Sequence, residues 1–256
     1  MFGCGAMGSI ILRNLISLKN TKSVTVIERH IENMDLFKGN EKIVHHVSTE
    51  SLMQDHFDVA ILAVKPQDFK LISLPKVDTI ASVMAGVSSI ELESYFLQPN
   101  IVRIMPNTPA QLGYGMTGLF AQSSVDTVRR QNIENIFNQM GKTMWLQSDD
   151  DIDRFTAIAG SGPAYVYSFI RDYINAAEAL NIKNVKPLVL QVLLGALEVV
   201  KENDSKDIQE LIGTVNSKGG TTEAALEVLS RKDVSSIWKE ALDAAYKRAL
   251  ELSRPQ

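Results

Sequence analysis

The chain is poor in cysteine, with Cys4 as its single thiol among 256 residues. One cysteine cannot form an internal disulfide, so the disulfide frameworks that stabilise small secreted proteins are excluded. A lone thiol suits a reducing compartment, and no signal peptide is recognised near the first residues. These features predict a cytoplasmic protein.

Basic residues and long apolar runs are also scarce. Lysine and arginine number 26 against 30 acidic residues, which gives a net charge of −4. This balance argues against a nucleic-acid partner. No run of 18 apolar residues occurs, so no membrane span is expected. Apolar residues still make up 45% of the chain, enough for a sizeable core in one or two domains.

An acidic run divides the sequence into two differently patterned parts. The run Asp149-Asp150-Asp151 follows Ser148, and no histidine or cysteine stands near it in the sequence. Helix N-termini favour acids, so the run predicts a helix start and no metal site. We place the domain boundary here, with an α/β domain over residues 1–150 and an all-α domain over residues 151–256.

The front of the chain carries a glycine-rich motif. Gly3-Cys4-Gly5-Ala6-Met7-Gly8 matches G-x-G-x-x-G, and apolar residues at helical spacing follow it. The apolar run Val24–Ile27 then predicts a strand that ends at Glu28, 20 residues after Gly8. This order is typical of a dinucleotide-binding turn, in which the carboxylate binds the ribose hydroxyls.

Two questions stay open at this motif. Glu28 favours the free ribose of NADH, whereas Arg29 and His30 could bind the 2′-phosphate of NADPH, or Arg29 could be a solvated surface charge. Only Met1 and Phe2 precede Gly3, where a strand of about five or six residues is expected. The first strand is therefore missing or very short, through a truncated gene model or in a protein that no longer binds the cofactor.

Strands and helices then alternate up to the acidic run. Asp58–Val64 is a continuous apolar run, typical of a strand buried on both faces. Further strands are predicted at Thr79–Ala85, Ile101–Met105, Met116–Ala121 and Thr143–Leu146, with a helix at Val128–Met140. The pattern predicts a Rossmann-type, doubly wound parallel sheet with its first strand truncated. Residues after the strands, Lys65, Gly86 and Asn107 among them, should face one crevice. There Asn107 either hydrogen-bonds near the nicotinamide or is a plain turn residue.

Two turns in the helical part could bind an anion. Pro163 fits a helix start, with Ser161 and Gly162 just ahead of the free N–H groups of that helix. The loop from Ser217 to Thr222 also precedes a helix, which Thr221 or Thr222 can cap. Each turn is either a small carboxylate site or an ordinary helix start.

Residues 187–200 are apolar nearly all round, with Gln191 and Glu198 as the polar exceptions. A helix of this kind must be covered on all sides. We expect a second copy of the chain to cover it in an obligate homodimer; burial against the nucleotide domain of the same chain is the alternative.

Together these stretches resemble the pyrroline-5-carboxylate reductase family over essentially the whole chain. The specific motifs are Ala63-Val64-Lys65-Pro66-Gln67, the segment Val102–Pro109, and the pair Gly160–Tyr165 with Ser217–Thr222. The resemblance implies a Rossmann domain followed by a helical domain that pairs with a partner subunit, and it allows a higher ring of dimers.

The resemblance also implies roles for individual residues. The pyrophosphate would be held by Gly3, Gly5, Ala6, Met7 and Gly8. The nicotinamide side would be lined by Ala63, Val64, Lys65, Pro66, Met84, Ala85, Gly86 and Asn107, with Glu28 and Arg29 at the ribose. The substrate would be bound by Ser161, Gly162, Ser217, Gly219, Gly220, Thr221 and Thr222. Thr222 matches the position that contacts the ring nitrogen, and it is the candidate catalytic residue.

The implied reaction is the reduction of 1-pyrroline-5-carboxylate to L-proline by NADPH or NADH. The sequence departs from the family at Lys218, where proline is usual, and near Ser48-Thr49-Glu50, where an asparagine is usual. Two alternatives remain. A related hydroxyacid dehydrogenase would need a base, but residues 164–175 contain Arg171 and no lysine. A degenerate homologue would bind metabolites without turnover.

Overall fold

The computed structural model describes residues 1–253 and contains seven strands and nine α-helices in that part of the chain. The strands are β1 Val24–Ile27, β2 Ile43–His46, β3 His56–Leu62, β4 Lys76–Ser82, β5 Ile101–Met105, β6 Gly115–Ala121 and β7 Gly141–Trp145. The helices are α1 Ala6–Ser17, α2 Ser89–Phe96, α3 Thr127–Phe137, α4 Asp149–Phe155, α5 Gly162–Glu178, α6 Val185–Glu202, α7 Ile208–Val215, α8 Thr221–Arg231 and α9 Val234–Leu252. None of these helices is long and apolar enough to cross a bilayer.

The strands form a parallel sheet with one reversed strand pair. β1 pairs with β2, and β3 to β7 follow one another in order, with β5 and β6 antiparallel. Phe2 joins the two parts, because it bridges in parallel to Ile27 on one side and to Leu62 on the other. The sequence left open whether the first strand is missing or very short; in the structure Met1 and Phe2 lie at its position, between β1 and β3.

Both faces of the sheet are covered, as the continuous apolar strands predicted. Alternate strand residues enter different cores: Ile61 packs in the core that includes Ile11 of α1, whereas Leu62 packs in the core that includes Leu92 of α2. Side chains of successive strand residues point to opposite faces, so apolar residues at every position suit a strand covered twice. The predicted doubly wound α/β fold is confirmed.

Two elements were missed from the sequence. β2 has only four residues, Ile43–His46, and two of them are histidines, so it gave no strand signal. α2 did have a sequence signal, because Ser88 and Glu91 stand in the order Ser-x-x-Glu that starts many helices. In the structure the Ser88 hydroxyl oxygen accepts a hydrogen bond from the Glu91 backbone N–H at 3.1 Å.

The chain divides into two compact units. The first comprises residues 1–163 together with the chain from Ala244 onward, and the second comprises residues 164–243. The second unit contains most of α5, all of α6 to α8 and the beginning of α9, and in it Tyr165 packs edge-on against Trp238. The predicted functional boundary after residue 150 stays a prediction.

α6 remains largely exposed in the single chain. Only Val185 and Val189 are buried in this helix. Six of its large apolar side chains are between 41% and 61% exposed: Leu188, Leu190, Val192, Leu194, Leu197 and Val199. Such a contiguous apolar surface marks an interaction site.

A buried arginine ties α4 to the sheet. Arg103 in β5 is 2% exposed, and its Nη1 lies 2.7 Å from Asp149 Oδ1 at the start of α4. Asp149 also accepts hydrogen bonds from the backbone and hydroxyl of Ser89, which begins α2. Arg103 Nη2 lies 3.6 Å from Asp153, whose pKa is raised because burial outweighs the attraction of the arginine. The acidic run thus starts a helix, as predicted, and also neutralises a buried cation.

The end of α9 belongs to the same unit and packs on this region. The Tyr246 hydroxyl donates to Asp150 Oδ1 at 2.6 Å, and the Ser253 hydroxyl donates to Asp153 Oδ2 at 3.0 Å. Gly86 lies directly under the last turn, since a Cβ built there would stand 2.5 Å from the Leu252 carbonyl oxygen. The first unit is therefore completed by the last residues of the chain.

Replacing the buried arginine should destabilise the protein strongly. Arg103→Met leaves two carboxylates without their cation, and we expect the free energy of unfolding to fall by about 3–5 kcal/mol in urea titrations. Arg248→Met, which removes an exposed pair with Glu251, is the control and should cost at most about 1 kcal/mol. Equal losses in the two variants would contradict the role of Arg103.

Candidate functional site

A cleft of about 410 Å³ opens at the carboxyl ends of β1, β2 and β3. The carboxyl edge of a doubly wound sheet is where ligands bind in this architecture. The lining residues are Phe2, Gly3, Gly5, Ile27, Glu28, Arg29, His30, Asn33, Val47, Ser48, Thr49, Ala63, Val64, Lys65, Asp68, Leu71, Ile72 and Ser73. The cleft therefore brings together the glycine-rich turn, the acidic end of β1 and the motif that follows β3.

Two of the three motif glycines are required by the packing of the turn itself. Gly3 has φ of +85°, and a Cβ there would lie 2.6 Å from the Ala63 carbonyl oxygen. A Cβ on Gly8 would lie 2.5 Å from the Gly3 carbonyl oxygen. Any side chain at either position would push α1 and β3 apart.

Gly5 differs from both. Its φ is −68°, which any residue adopts, and a Cβ built on it meets nothing within 4 Å. Gly5 nevertheless lines the cleft, directly before the first turn of α1. The space above it is a cradle that a Cβ would fill, at a helix N-terminus where an anion such as a pyrophosphate is favoured. Packing against neighbouring residues therefore does not require glycine here, and the position is where a ligand would come closest to the backbone.

The Glu28 carboxylate faces inward. It is 8% exposed; Oε2 accepts a hydrogen bond from the Cys4 backbone N–H at 2.6 Å, and Oε1 accepts one from the His30 backbone N–H at 2.9 Å. Burial raises the pKa of Glu28, but these hydrogen bonds outweigh it and hold the pKa below its ordinary value. Burial and then the charge of Glu28 raise the pKa of Cys4 to about 11, so this thiol is no nucleophile at neutral pH.

Basic side chains stand at the open edge of the cleft. Arg29 and His30 are exposed after β1, and Lys65 is exposed after β3. Within residues 1–253, Arg29 has no ion pair, whereas His30 Nδ1 lies 3.5 Å from Glu32 Oε1. These basic side chains favour a negatively charged ligand at the edge of the cleft.

The predicted nicotinamide-side residues after β4 and β5 do not line this cleft. Met84 is buried in the core, and Gly86 lies under Leu252. Asn107 is buried and both ends of its amide are bonded within the protein: Nδ2 donates to the Ala159 carbonyl at 2.9 Å, and Oδ1 accepts from the Met116 N–H at 3.0 Å. In this state Asn107 fixes the segment before Ser161, and its contact with a ligand stays a prediction.

The turn at Ser161 differs from the expected helix start. α4 continues through a π-helical turn at Thr156–Gly160 almost directly into α5, and the Ser161 N–H donates to the Thr156 carbonyl at 2.9 Å. The Ser161 N–H itself is therefore bonded within the protein, whereas the presence of free α5 N–H groups beside Ser161 and Gly162 stays a prediction. α5 also begins at Gly162, one residue ahead of Pro163. The near-continuous helix leaves fewer donors free than an isolated helix start would.

The loop before α8 is built differently from its prediction. The N-cap of α8 is Gly220 without a side-chain cap, so neither Thr221 nor Thr222 caps this helix. Glu223 Oε2 instead accepts from the Gly219 N–H at 2.6 Å, and the Gly220 N–H donates to the Ser217 carbonyl at 3.0 Å. The hydroxyls of Thr221 and Thr222 thus remain available for other partners.

Several cleft residues escaped sequence reasoning. Ser48 and Thr49 follow β2; the family resemblance marked them as a departure on the nucleotide side, but no residue pattern placed them at the sheet edge, because β2 was not predicted. Asn33 and Asp68 lie in short 3₁₀ segments, Ile31–Phe37 and Pro66–Leu71, which have too few residues for a periodic signal. A predicted β2 would have brought Ser48 and Thr49 into the site.

The fold and the glycine turn define a dinucleotide-binding oxidoreductase. Comparison with protein families agrees: residues 1–84 match the family described as NADP oxidoreductase, coenzyme F420-dependent. Residues 149–252 match the family described as pyrroline-5-carboxylate reductase dimerisation.

Similar proteins point to one family. The pyrroline-5-carboxylate reductase of Pasteurella multocida is 38% identical over 77% of this chain and 75% of its own length. The structure of a pyrroline-5-carboxylate reductase from Coxiella burnetii is 32% identical, with a TM-score of 0.87 over 99% of this chain and 97% of that chain. The Plasmodium falciparum pyrroline carboxylate reductase, solved with NADP bound, is 28% identical, with a TM-score of 0.82 over the same shares. The chain belongs to the pyrroline-5-carboxylate reductase family.

Alanine at the two cleft glycines should separate packing from ligand space. Gly3→Ala should lower the free energy of unfolding by about 2 kcal/mol or more, because it adds backbone strain and overlap with Ala63. Gly5→Ala should cost at most about 1 kcal/mol, the usual loss for alanine at a helix N-cap, because its Cβ meets no neighbouring atom. Urea unfolding of both variants measures this, and a loss in Gly5→Ala as large as that in Gly3→Ala would show that the space above Gly5 is not free.

Proposed function

We propose that this protein reduces 1-pyrroline-5-carboxylate to L-proline with NADPH or NADH. The observation that carries the proposal is the open space above Gly5 at the start of α1, in a chain that belongs to this reductase family. That space suits the pyrophosphate of a dinucleotide, and the cleft continues to the ends of β2 and β3. The identity of the proposed substrate, a five-membered cyclic imine with a carboxylate, follows from membership in the family.

The residues present fit a bound dinucleotide. Gly3, Gly5 and the first turn of α1 would hold the pyrophosphate, and Ala63, Val64 and Lys65 would lie along the remaining part of the cofactor. When bound, the reduced dinucleotide supplies the hydride that the imine carbon receives.

The chain itself needs to bind and orient the substrate and to exclude water. The imine nitrogen of the substrate carries a proton readily, so no strong acid from the protein is required. We assign carboxylate binding to the loop from Ser217 to Thr221, whose hydroxyls can donate to an anion. Lys218 adds a positive charge to this loop. Thr222 would hydrogen-bond the ring nitrogen and so fix the carbon that is reduced.

The structure and the sequence favour the reductase over the degenerate homologue and the hydroxyacid dehydrogenase. The degenerate homologue rested on a missing first strand and on the altered ribose side near Ser48; against it, Phe2 bridges β1 and β3, and Gly3 and Gly8 form the closely packed glycine turn. A hydroxyacid dehydrogenase needs a base for alcohol chemistry, and α5 carries Arg171 but no lysine.

We also propose a homodimer formed through the helical domain, residues 151–256, with residues 1–150 as the dinucleotide-binding domain. The exposed apolar side chains of α6 support this, together with the family match to a dimerisation domain. We further propose that such dimers assemble into a ring, as the family resemblance allows, through surfaces other than the dimer interface. Cys4, buried and without a disulfide partner, suits the cytoplasm in which we propose that the enzyme works.

The reaction is tested by following the loss of reduced-nicotinamide absorbance with 1-pyrroline-5-carboxylate. We expect turnover by the parent and a fall in kcat of about tenfold to hundredfold in Thr222→Val, which keeps the shape but removes the hydroxyl. Ser168→Ala, a hydroxyl loss on α5 outside the substrate loop, is the control and should keep its kcat. A folded parent without turnover would refute the reductase, and an active Thr222→Val would refute the role of Thr222.

The dimer is tested by light scattering coupled to size exclusion. Leu194→Glu places a charge in the apolar face of α6 and should raise the dimer dissociation constant at least about hundredfold. Leu36→Glu, at a leucine that is 75% exposed in the first unit, is the control and should leave the mass unchanged. A monomeric parent, or a Leu194→Glu dimer as tight as the parent, would contradict the proposed interface.

A further inference from the structure

The open question at the cleft is which side chain selects between the two dinucleotides. In NADH the adenosine ribose has a free 2′-hydroxyl, whereas in NADPH the same oxygen carries a phosphate. We propose that Glu28 positions the glycine-rich turn and does not bind the ribose, and that Arg29 selects the dinucleotide with the 2′-phosphate. This inference rests on the proposed function, because it concerns the cofactor of that reaction.

The first argument is the direction of the Glu28 carboxylate. An acid that selects NADH presents its oxygens to the two ribose hydroxyls. Here each oxygen already accepts a short hydrogen bond from a backbone N–H, one from Cys4 in the glycine-rich turn and one from His30. At 8% exposure, the carboxylate has little surface left for a ligand. Each oxygen keeps one lone pair, but the two charge-assisted hydrogen bonds, which are among the strong ones in proteins, fix the carboxylate toward the turn and away from the open cleft.

The second argument is what Glu28 does in this position. It connects the end of β1 to the glycine-rich turn 24 residues earlier in the chain. The Cys4 N–H that it binds stands between Gly3, which packs on Ala63, and Gly5, which faces the open cradle. The carboxylate therefore sets the orientation of the peptide groups beside the cradle. That role is the same for either dinucleotide.

The third argument is the charge that remains at the cleft. Arg29 follows Glu28 directly, is exposed, lines the cleft, and has no ion pair within the described residues 1–253. Its guanidinium has five donors in a planar fork that matches a phosphate. Ser48 and Thr49 line the cleft after β2 and add hydroxyl donors on the neighbouring strand end. With Glu28 turned inward, the groups offered to the ribose side are donors and a cation, which suit a phosphate better than a diol.

The test is direct binding, measured through the fluorescence of the reduced nicotinamide without any substrate. We expect the parent to bind NADPH at least about tenfold more tightly than NADH. Arg29→Gln should weaken NADPH about tenfold to hundredfold and should change NADH by less than about threefold. Arg13→Gln removes the same charge from an exposed position on α1 outside the cleft, and it should change neither affinity.

Glu28→Gln distinguishes a positioning residue from a ribose-binding one. If Glu28 positions the turn, the variant weakens NADPH and NADH by the same factor and also lowers the thermal unfolding midpoint of the unliganded protein. If Glu28 binds the ribose, the variant loses NADH selectively, and the proposal is overturned.

Three other results would also overturn it: NADH binding as tight as NADPH binding in the parent, equal losses of both cofactors in Arg29→Gln, or binding of neither. Only the last result also removes the proposed function, so the two failures are distinguishable. Adenosine 2′,5′-bisphosphate against adenosine 5′-monophosphate, followed by thermal shift, repeats the comparison without a nicotinamide. A larger shift with the bisphosphate, lost in Arg29→Gln, is expected; equal shifts would refute a 2′-phosphate site.

Discussion

The backbone of Met1 and Phe2 holds the nucleotide unit together. The Phe2 N–H donates to the Ile61 carbonyl, and the Phe2 carbonyl accepts from the Ala63 N–H, so β3 is paired on one side. On the other side the Met1 carbonyl accepts from the Ile27 N–H, and the Gly3 N–H donates to the Ile27 carbonyl. These bonds connect the β1–β2 pair to the other five strands. They also fix the point from which the glycine-rich turn departs.

The depth of the cleft follows from this arrangement. Phe2 pairs with Ile27 and Leu62, which are the last residues of β1 and β3. The two strands therefore end beside Gly3, where the turn begins. Ala63 therefore packs against Gly3, and Glu28 reaches Cys4. Two residues of extended chain are enough, because the neighbours supply the hydrogen-bond partners.

Sequence patterns predicted the parts of the fold that depend on a simple local signal, such as a run of apolar residues or a fixed spacing of glycines. β5 at Ile101–Met105 has the predicted bounds, because four of its five residues are apolar. The motif glycines were placed in the cleft by their fixed spacing. The inward turn of Glu28 could not be predicted, since spacing specifies where a carboxylate lies along the chain but not which donors it meets. The π-helical turn before Ser161 was also invisible, because it depends on how α4 and α5 join.

Helix α9 determines when the first unit can be completed during synthesis of the chain. α9 begins in the second unit and ends in the first, where Tyr246 and Ser253 bind Asp150 and Asp153. The second unit is thus an insertion, and the first unit is assembled from both ends of the sequence. A nascent chain that has emerged only as far as residue 243 lacks the segment that covers Gly86 and α4. The nucleotide unit therefore cannot be completed before the segment from Ala244 onward has been made.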